Sequence, residues 1–182
     1  KWAGDILIHN STYENSKNFH FFQDITIHSQ GLDSNKSLQL RSNILDANLQ
    51  GNYTFSGMVD AVTSQVSRFV KTVKPTPFPD NQEFDFQIDI KNSQILTDIL
   101  MRDLFVEHNS KVSGNYSSKT TTFNFQVVSP VINYKKMKVK NIDLDFKGSP
   151  SQSQLAFSVA NFNYKGFDID SINLGNFYYN DT

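Results

Sequence analysis

The 182-residue chain is 38% hydrophobic and 13% aromatic, enough to bury a core in one domain or two small ones, which excludes a disordered tail. Its formal charge of -1 excludes the global basic field that would hold a polyphosphate backbone, so nucleic acid is not an expected partner, and the absence of cysteine excludes disulfides, thiolate zinc sites and cysteine nucleophiles. No apolar run approaches the roughly 20 residues that cross a bilayer, and the opening Lys1-Trp2-Ala3-Gly4, with neither initiator Met nor signal peptide, reads as an excised piece of something longer.

From the N-terminus onward, period-two segments dominate. Asp5 to His9, Phe19 to His28 and Ser37 to Arg41 read as strands, and Leu45, Ala47, Leu49, Gly51, Tyr53 and Phe55 keep one parity, which predicts a single long strand. The period then changes. Met58, Val59, Val62, Val66, Phe69, Val70 and Val73 fall mostly three and four residues apart behind Ser56 as cap, predicting an amphipathic helix of about four turns. Lys74-Pro75-Thr76-Pro77-Phe78-Pro79 holds three of the five prolines and enforces an extended connector. The chain accordingly divides into a first β segment over 1–74 that ends in the helix, a Pro-rich connector over 75–83 and a second β segment over 84–182.

Past the connector, Phe84, Phe86, Ile88 and Ile90 alternate with Asp85, Gln87 and Asp89 in the clearest amphipathic strand. Ser93 is the expected cap of a second, short helix over Gln94 to Arg102, with Ile95, Leu96, Ile99 and Leu100 on one face. Strands resume around Tyr116, then over Phe123 to Val128, Val131 to Tyr134, Met137 to Phe146, Leu155 to Tyr164 and Phe167 to Tyr179, with hairpins expected at Gly148-Ser149-Pro150 and near Gly166.

One pattern recurs three times, in Phe22-Gln23-Asp24-Ile25-Thr26-Ile27, Val139-Lys140-Asn141-Ile142-Asp143-Leu144 and Ile169-Asp170-Ser171-Ile172-Asn173-Leu174. Each copy alternates apolar and polar residues and breaks phase once at a polar pair, where a β-bulge restores the facing. A second echo, Leu49-Gln50-Gly51-Asn52-Tyr53 against Val112-Ser113-Gly114-Asn115-Tyr116, points to duplication. The expected fold is mainly β, an extended antiparallel sheet with one apolar face and two short amphipathic helices.

The strand over Leu38 to Leu40, the strand ending Gly51-Asn52-Tyr53-Thr54-Phe55, the amphipathic helix, the Pro-rich link and Phe84-x-Phe86-x-Ile88-x-Ile90 together resemble the TamB-type members of the AsmA-like superfamily in Bacteroidota. Ile95-Leu96, Leu104-Phe105-Val106, Gly114-Asn115-Tyr116, Pro130-Val131-Ile132-Asn133-Tyr134 and the strand with Ile142 and Leu144 extend the resemblance over most of the chain. The resemblance implies a β-taco, a sheet curled into a half-pipe with an apolar concave wall to which both β segments contribute. It further implies a bridge-like lipid carrier in the periplasm, anchored to the inner membrane by an N-terminal helix and reaching an outer-membrane barrel protein through a C-terminal region. Phospholipid acyl chains are then the partner. The expected lipid-groove residues are Phe84, Phe86, Ile88, Ile90, Val139, Ile142, Leu144, Phe146, Leu155, Phe157, Val159, Phe167, Ile169, Ile172 and Leu174. The same residues also suit the closed interior of a β-sandwich. The two helices depart from an uninterrupted groove, as a cap or a plug would.

Other constellations point away from catalysis. Asp143 with Asp145 and Asp168 with Asp170 share strand faces as paired carboxylates do in glycosidases, but alternation puts them on a solvated face opposite Ile142, Leu144 and Ile169. His9, His20, His28 and His108 lack the spacing of a metal site or a nucleophile-activating one, and His20 occupies the place of Met137 and Phe167 in the other repeats, as a wall residue would. Lys135, Lys136, Lys138 and Lys140 form a basic cluster that reads either as a solubilising edge or as a contact for anionic headgroups. No phosphate loop, nucleophile elbow or metal-binding helix motif is present. The alternative to a lipid carrier is a non-enzymatic carbohydrate-binding or adhesin β-module, with Tyr178, Tyr179 and Asn180 as contact residues. No cofactor is expected.

Overall fold

The computed structural model describes residues 3–14, 19–32, 34–67, 72–74, 76–99 and 103–180. Among them the chain forms β1 (Gly4–Glu14), β2 (Phe19–Leu32), β3 (Asn35–Ser42), β4 (Leu45–Asn52), α1 (Phe55–Val66), β5 (Glu83–Ile90), α2 (Ser93–Ile99), β6 (Leu104–Val106), β7 (Ser110–Ser117), β8 (Thr122–Tyr134), β9 (Met137–Gly148), β10 (Gln152–Tyr164) and β11 (Phe167–Asn180). The protein is mainly antiparallel β with two helices. All strands join one sheet in the order β1-β2-β3-β4-β5-β7-β8-β9-β10-β11, with β6 added beside β8. β1 and β11 do not pair, so the sheet is open.

The sheet is tall at its flanks and short in its middle. β8 to β11 run 13, 12, 13 and 14 residues, whereas β3, β4, β5 and β7 have eight each, roughly 26 Å. The notch beneath the short strands is filled by α2 and β6. Ile95 of α2 is buried against Phe22 and Ile44, and the Thr97 hydroxyl donates to the Leu104 carbonyl. β6 continues the line of β7 along β8, since Leu104–Val106 faces Tyr134–Ile132 while Lys111–Ser117 faces Val128–Thr122. Between them Glu107 to Asn109 bulge out, and the Glu107 amide donates to the Val131 carbonyl at 2.9 Å.

The phase breaks expected at the polar pairs are visible as backbone features. Asn141 and Ser171, within two of the three repeats, adopt φ of 50° and 57°. In the first repeat the left-handed residue is Asn10 (φ 44°), on β1 opposite Gln23 rather than within the motif. Cross-strand pairing skips this level on β8 and β9, where Ser129 faces Ile142 and Val131 faces Lys140, and Pro130 sits in the gap. A proline inside a strand is tolerated there because the ladder asks nothing of its missing N–H. The two segments expected over Phe123 to Val128 and Val131 to Tyr134 are therefore one strand.

Four boundaries differ from the sequence reading. β4 stops at Asn52, because the chain turns at Tyr53 and Thr54 into the helix instead of extending to Phe55. Thr54, not Ser56, caps α1: its Oγ1 accepts from the Gly57 amide at 3.0 Å, and its own amide donates to Gln82 Oε1 at 2.7 Å, which fastens the helix start to the far end of the connector. α1 ends at Val66, and Phe69 and Val70 lie outside the described residues. In α2 the Asn92 side chain, one residue before the expected cap, accepts from the Gln94 amide; Leu100 and Arg102 lie outside the described residues.

α1 also presents an unexpected side to the sheet. The helix buries Gly57, Ala61, Ser64 and Gln65, small or polar residues that allow close approach. Its apolar stripe of Phe55, Val59, Val62 and Val66 stays exposed. Beneath it, the echoed Gly-Asn-Tyr motifs flank β5: Gly51 faces Phe84 and Gly114 faces Phe86. A Cβ on Gly114 would lie 2.4 Å from the Asn124 carbonyl oxygen and 2.7 Å from the Phe86 ring, so the missing side chain is what gives that ring its place. Gly114→Ala is expected to lower unfolding free energy in urea by about 1–3 kcal/mol through overpacking. Gly175→Ala, with nothing within 4 Å of the new methyl, should change it by less than about 0.5 kcal/mol.

Candidate functional site

Strand register arranges the apolar side chains in rows that run across the sheet. One row passes without interruption through ten strands: Ile6, Ile27, Leu40, Ala47 and Ile88 on the first five, then Val112, Val127, Leu144, Phe157 and Leu174 on β7 to β11. None of the ten is buried; the two ends, Ile6 and Leu174, are 43% and 54% exposed. Among the described residues no continuous second layer covers them; α1 reaches only the Val112 stretch, across a cavity.

The two rows above it are partly roofed by α1. Leu49, Phe84, Tyr116, Phe123 and Phe146 pack with Ala61 in the main buried cluster, and the rings of Phe86, Phe123, Phe125 and Phe146 are chained at centroid distances of 5.1 to 6.4 Å. Between this roof and the sheet remains an apolar cavity of about 360 Å³, walled on the helix side by Val62, Gln65 and Val66 and on the sheet side by Phe86, Val112, Phe123, Phe125 and Phe146. That volume lies in the range of small-molecule sites. Val62 and Val66, the C-terminal half of the α1 stripe, thus form the second wall of a cleft whose first wall is the sheet. Burial holds the hydroxyls of Tyr53 and Tyr116, both in the buried cluster, above the ordinary tyrosine range, with the nearby Asp80 charge adding to the effect on Tyr116.

Below the phase breaks a third cluster gathers Val139, Ile142 and Val159, with Ile132, Met137, Phe157, Phe162 and Ile172 packed around it. Two buried serines interrupt the apolar surface at this level, with Ser110 Oγ and Ser129 Oγ 2.6 Å apart: one hydroxyl donates to the other, which in turn donates to its nearby carbonyl, Glu107 for Ser110 or Val131 for Ser129.

The structure places all fifteen expected groove residues on this one face. Phe84, Val139, Ile142, Phe146 and Val159 are buried. Phe86, Ile88, Ile90, Leu144, Leu155, Phe157, Ile169 and Ile172 are half-buried, and Phe167 and Leu174 are exposed. The sequence reading overlooked the wall residues on β7 and β8, Val112, Phe123, Phe125 and Val127, although their alternation with polar residues was available as a signal.

The opposite face is polar. Asp143, Asp168 and Asp170 are exposed and Asp145 half-buried, and Asn163 and Asn161 donate to Asp168 and Asp170 at 2.8 and 3.3 Å. His20 faces α2, with Nε2 3.0 Å from Asp98 Oδ2. His9 pairs with Asp24 across β1 and β2 at 2.6 Å, and His28 pairs with Asp5. Among the described residues no three His, Cys, Asp or Glu side chains gather as a metal site would require, and no helix is long and apolar enough to cross a membrane. Comparison with protein-family models, with curated proteins and with solved structures returns no match.

Hydrogen bonding to Asp5, which accepts from the imidazole, and then to Gln30 holds the His28 imidazole above its ordinary pKa. A raised native pKa stabilises the β1–β2 hairpin below the unfolded histidine value and loses that contribution as pH rises through the native one. In an NMR titration His28 should titrate above its ordinary value, and Asp5→Asn should bring it back down.

Proposed function

We propose that this chain is a segment of a bridge-like lipid carrier of the TamB type, whose apolar sheet face is the wall of a half-pipe that passes phospholipid acyl chains between the inner and outer membranes of a periplasm. The membrane anchor and the outer-membrane barrel partner belong to the same proposal. The observation that carries it is the uninterrupted apolar row from Ile6 to Leu174, over which the described chain places only α1, across a cavity at Val112. Leaving such a surface in water costs about 0.8 kcal/mol per methylene-sized patch, and an acyl chain laid on it recovers that amount along its length.

No reacting group is needed. Neighbouring rungs offer similar aliphatic and phenyl surface, so a tail shifting from one to the next exchanges contacts of similar worth and meets only small barriers. The flanking strands of 12 to 14 residues are about 40–45 Å long, more than the hydrocarbon core of a bilayer, so a full acyl chain fits along them. α1 covers part of the wall and leaves the cavity beneath Val62 and Val66, which on this reading holds a chain segment against Phe125 and Phe146. The helix narrows the passage here without filling it.

Native mass spectrometry of gently purified protein should detect bound phospholipid. Leu144→Asp with Val127→Asp, which puts two carboxylates on the uncovered row, should reduce that occupancy more than tenfold with the far-UV spectrum retained. Photo-crosslinkers at Phe86, Phe146 and Leu155 should yield lipid adducts, and one at Asp89, on the polar face, should not. Lipid-free protein with unreactive wall positions would refute the carrier.

A second reading draws on the polar face. There Asn48, Gln87, Ser113, Asn115, Asn124 and Gln126 line a shallow depression of about 420 Å³, a set of amides and hydroxyls suited to sugar hydroxyls. Glycan-array binding abolished by Gln87→Ala with Gln126→Ala, in protein that carries no lipid, would favour this carbohydrate-binding module instead.

A further inference from the structure

The two ends of the long strands differ. At one end β7–β8 and β9–β10 turn through Ser118, Lys119, Thr120 and Thr121 and through Ser149, Pro150 and Ser151. At the other end the neighbouring hairpins β8–β9 and β10–β11 repeat one pattern, Tyr134-Lys135-Lys136-Met137 and Tyr164-Lys165-Gly166-Phe167. Register sets Tyr134, Met137, Tyr164 and Phe167 side by side as the last rung of the apolar face. Tyr134, Tyr164 and Phe167 are 39%, 45% and 66% exposed. The ammonium groups of Lys135 and Lys165 sit over the Tyr134 and Tyr164 rings at 5.3 and 5.2 Å, and the Lys165 amide donates to the Lys136 carbonyl, tying one tip to the other. The same cation-on-ring arrangement is thus built twice.

We infer that these twin tips are a docking surface for an anionic phospholipid bilayer, which meets the apolar face at its basic, aromatic end. The inference deepens the carrier reading and rests on it for what the contact accomplishes. Tyrosine rings with lysines beside them are what a membrane interface selects: an amphipathic ring at headgroup depth and a cation facing phosphate. Two hairpin tips two strands apart stand roughly 10 Å from each other, too far for one phosphate to neutralise both but suited to a plane of headgroups. Charge agrees with this. Lys135, Lys136 and Lys165 occupy the tips and Lys138 stands just behind, while the nearby acids are Asp103, whose backbone carbonyl accepts from the Lys135 amide, and Asp168, which accepts from Asn163. A net positive end on a chain of formal charge -1 is a local feature and not an overall bias.

The test is vesicle co-sedimentation of the full chain. Vesicles of phosphatidylcholine with about one-third phosphatidylglycerol should bind it and pure phosphatidylcholine vesicles should not, with the difference shrinking as salt shortens the screening length. Each lysine near such a surface contributes about fivefold in affinity, so Lys135→Gln, Lys136→Gln and Lys165→Gln together should weaken binding on the order of a hundredfold. Tyr134→Ser with Tyr164→Ser should weaken it while sparing the salt dependence. Lys119→Gln with Lys147→Gln, at the other end, should leave binding unchanged. Equal binding to both vesicle types, binding indifferent to the three tip lysines, or no binding to either would overturn the inference. Lipid occupancy by native mass spectrometry, read on the same triple variant, separates the two readings: occupancy retained with vesicle binding lost supports docking through the tips, whereas lysine-dependent vesicle binding by protein that never carries lipid would leave the docking surface standing and remove the carrier.

Discussion

A β-sheet satisfies its own backbone but only arranges its side chains, and an apolar face must still find something to lie against. In most domains that something is a second layer. Here eleven strands join one open sheet, and among the described residues the cover over its apolar face comes from one three-turn helix and, at the notch beneath the short strands, one two-turn helix. Everything else about the molecule follows from this shortage of cover. Side chains are buried in compact clusters beneath α1, beside α2 and, on β9 and β10, around Val139, Ile142 and Val159; between these a full row of aliphatic and phenyl groups remains half-open across the sheet.

The helices are placed to serve the sheet without closing it. α2 occupies the notch below the short central strands, where β2 would otherwise offer an unpaired edge, and seals it with Ile95 and the His20–Asp98 contact. α1 approaches through Gly57, Ala61 and Ser64, so its backbone sits low while its valines face outward and sideways. A helix meant only to close a core would turn those valines inward. Their orientation gives the cleft beneath α1 apolar surface on both sides.

Much of the sheet was legible because its signal is local and repeated. Strict alternation in Phe84 to Ile90, the two hairpins near Gly148 and Gly166, and the polar pairs that break phase all record the period of a pleated strand with one apolar side. Asn141 and Ser171 fall where the repeats place their irregularity. Less legible were features set by tertiary context. β6 has three residues and exists because β8 outruns β7, a length mismatch that no window of sequence contains. Pro130 looks like a strand terminator until its neighbours are seen to skip pairing there. The direction of the α1 stripe depends on what lies beneath the helix, and periodicity reports a stripe without reporting which way it faces. The wall positions followed from alternation alone; whether they were sealed or open required the whole sheet.

The central claim is that the uncovered row accommodates hydrocarbon from outside the chain. Methyl relaxation in the presence of a fatty acid bearing a nitroxide on its chain measures this contact directly. The account predicts strong broadening of the Val112, Val127 and Leu144 methyls, weaker effects on Leu49 under α1, and none on the Thr26 methyl on the polar face. Uniform broadening across both faces, or wall methyls left sharp at saturating probe, would contradict it.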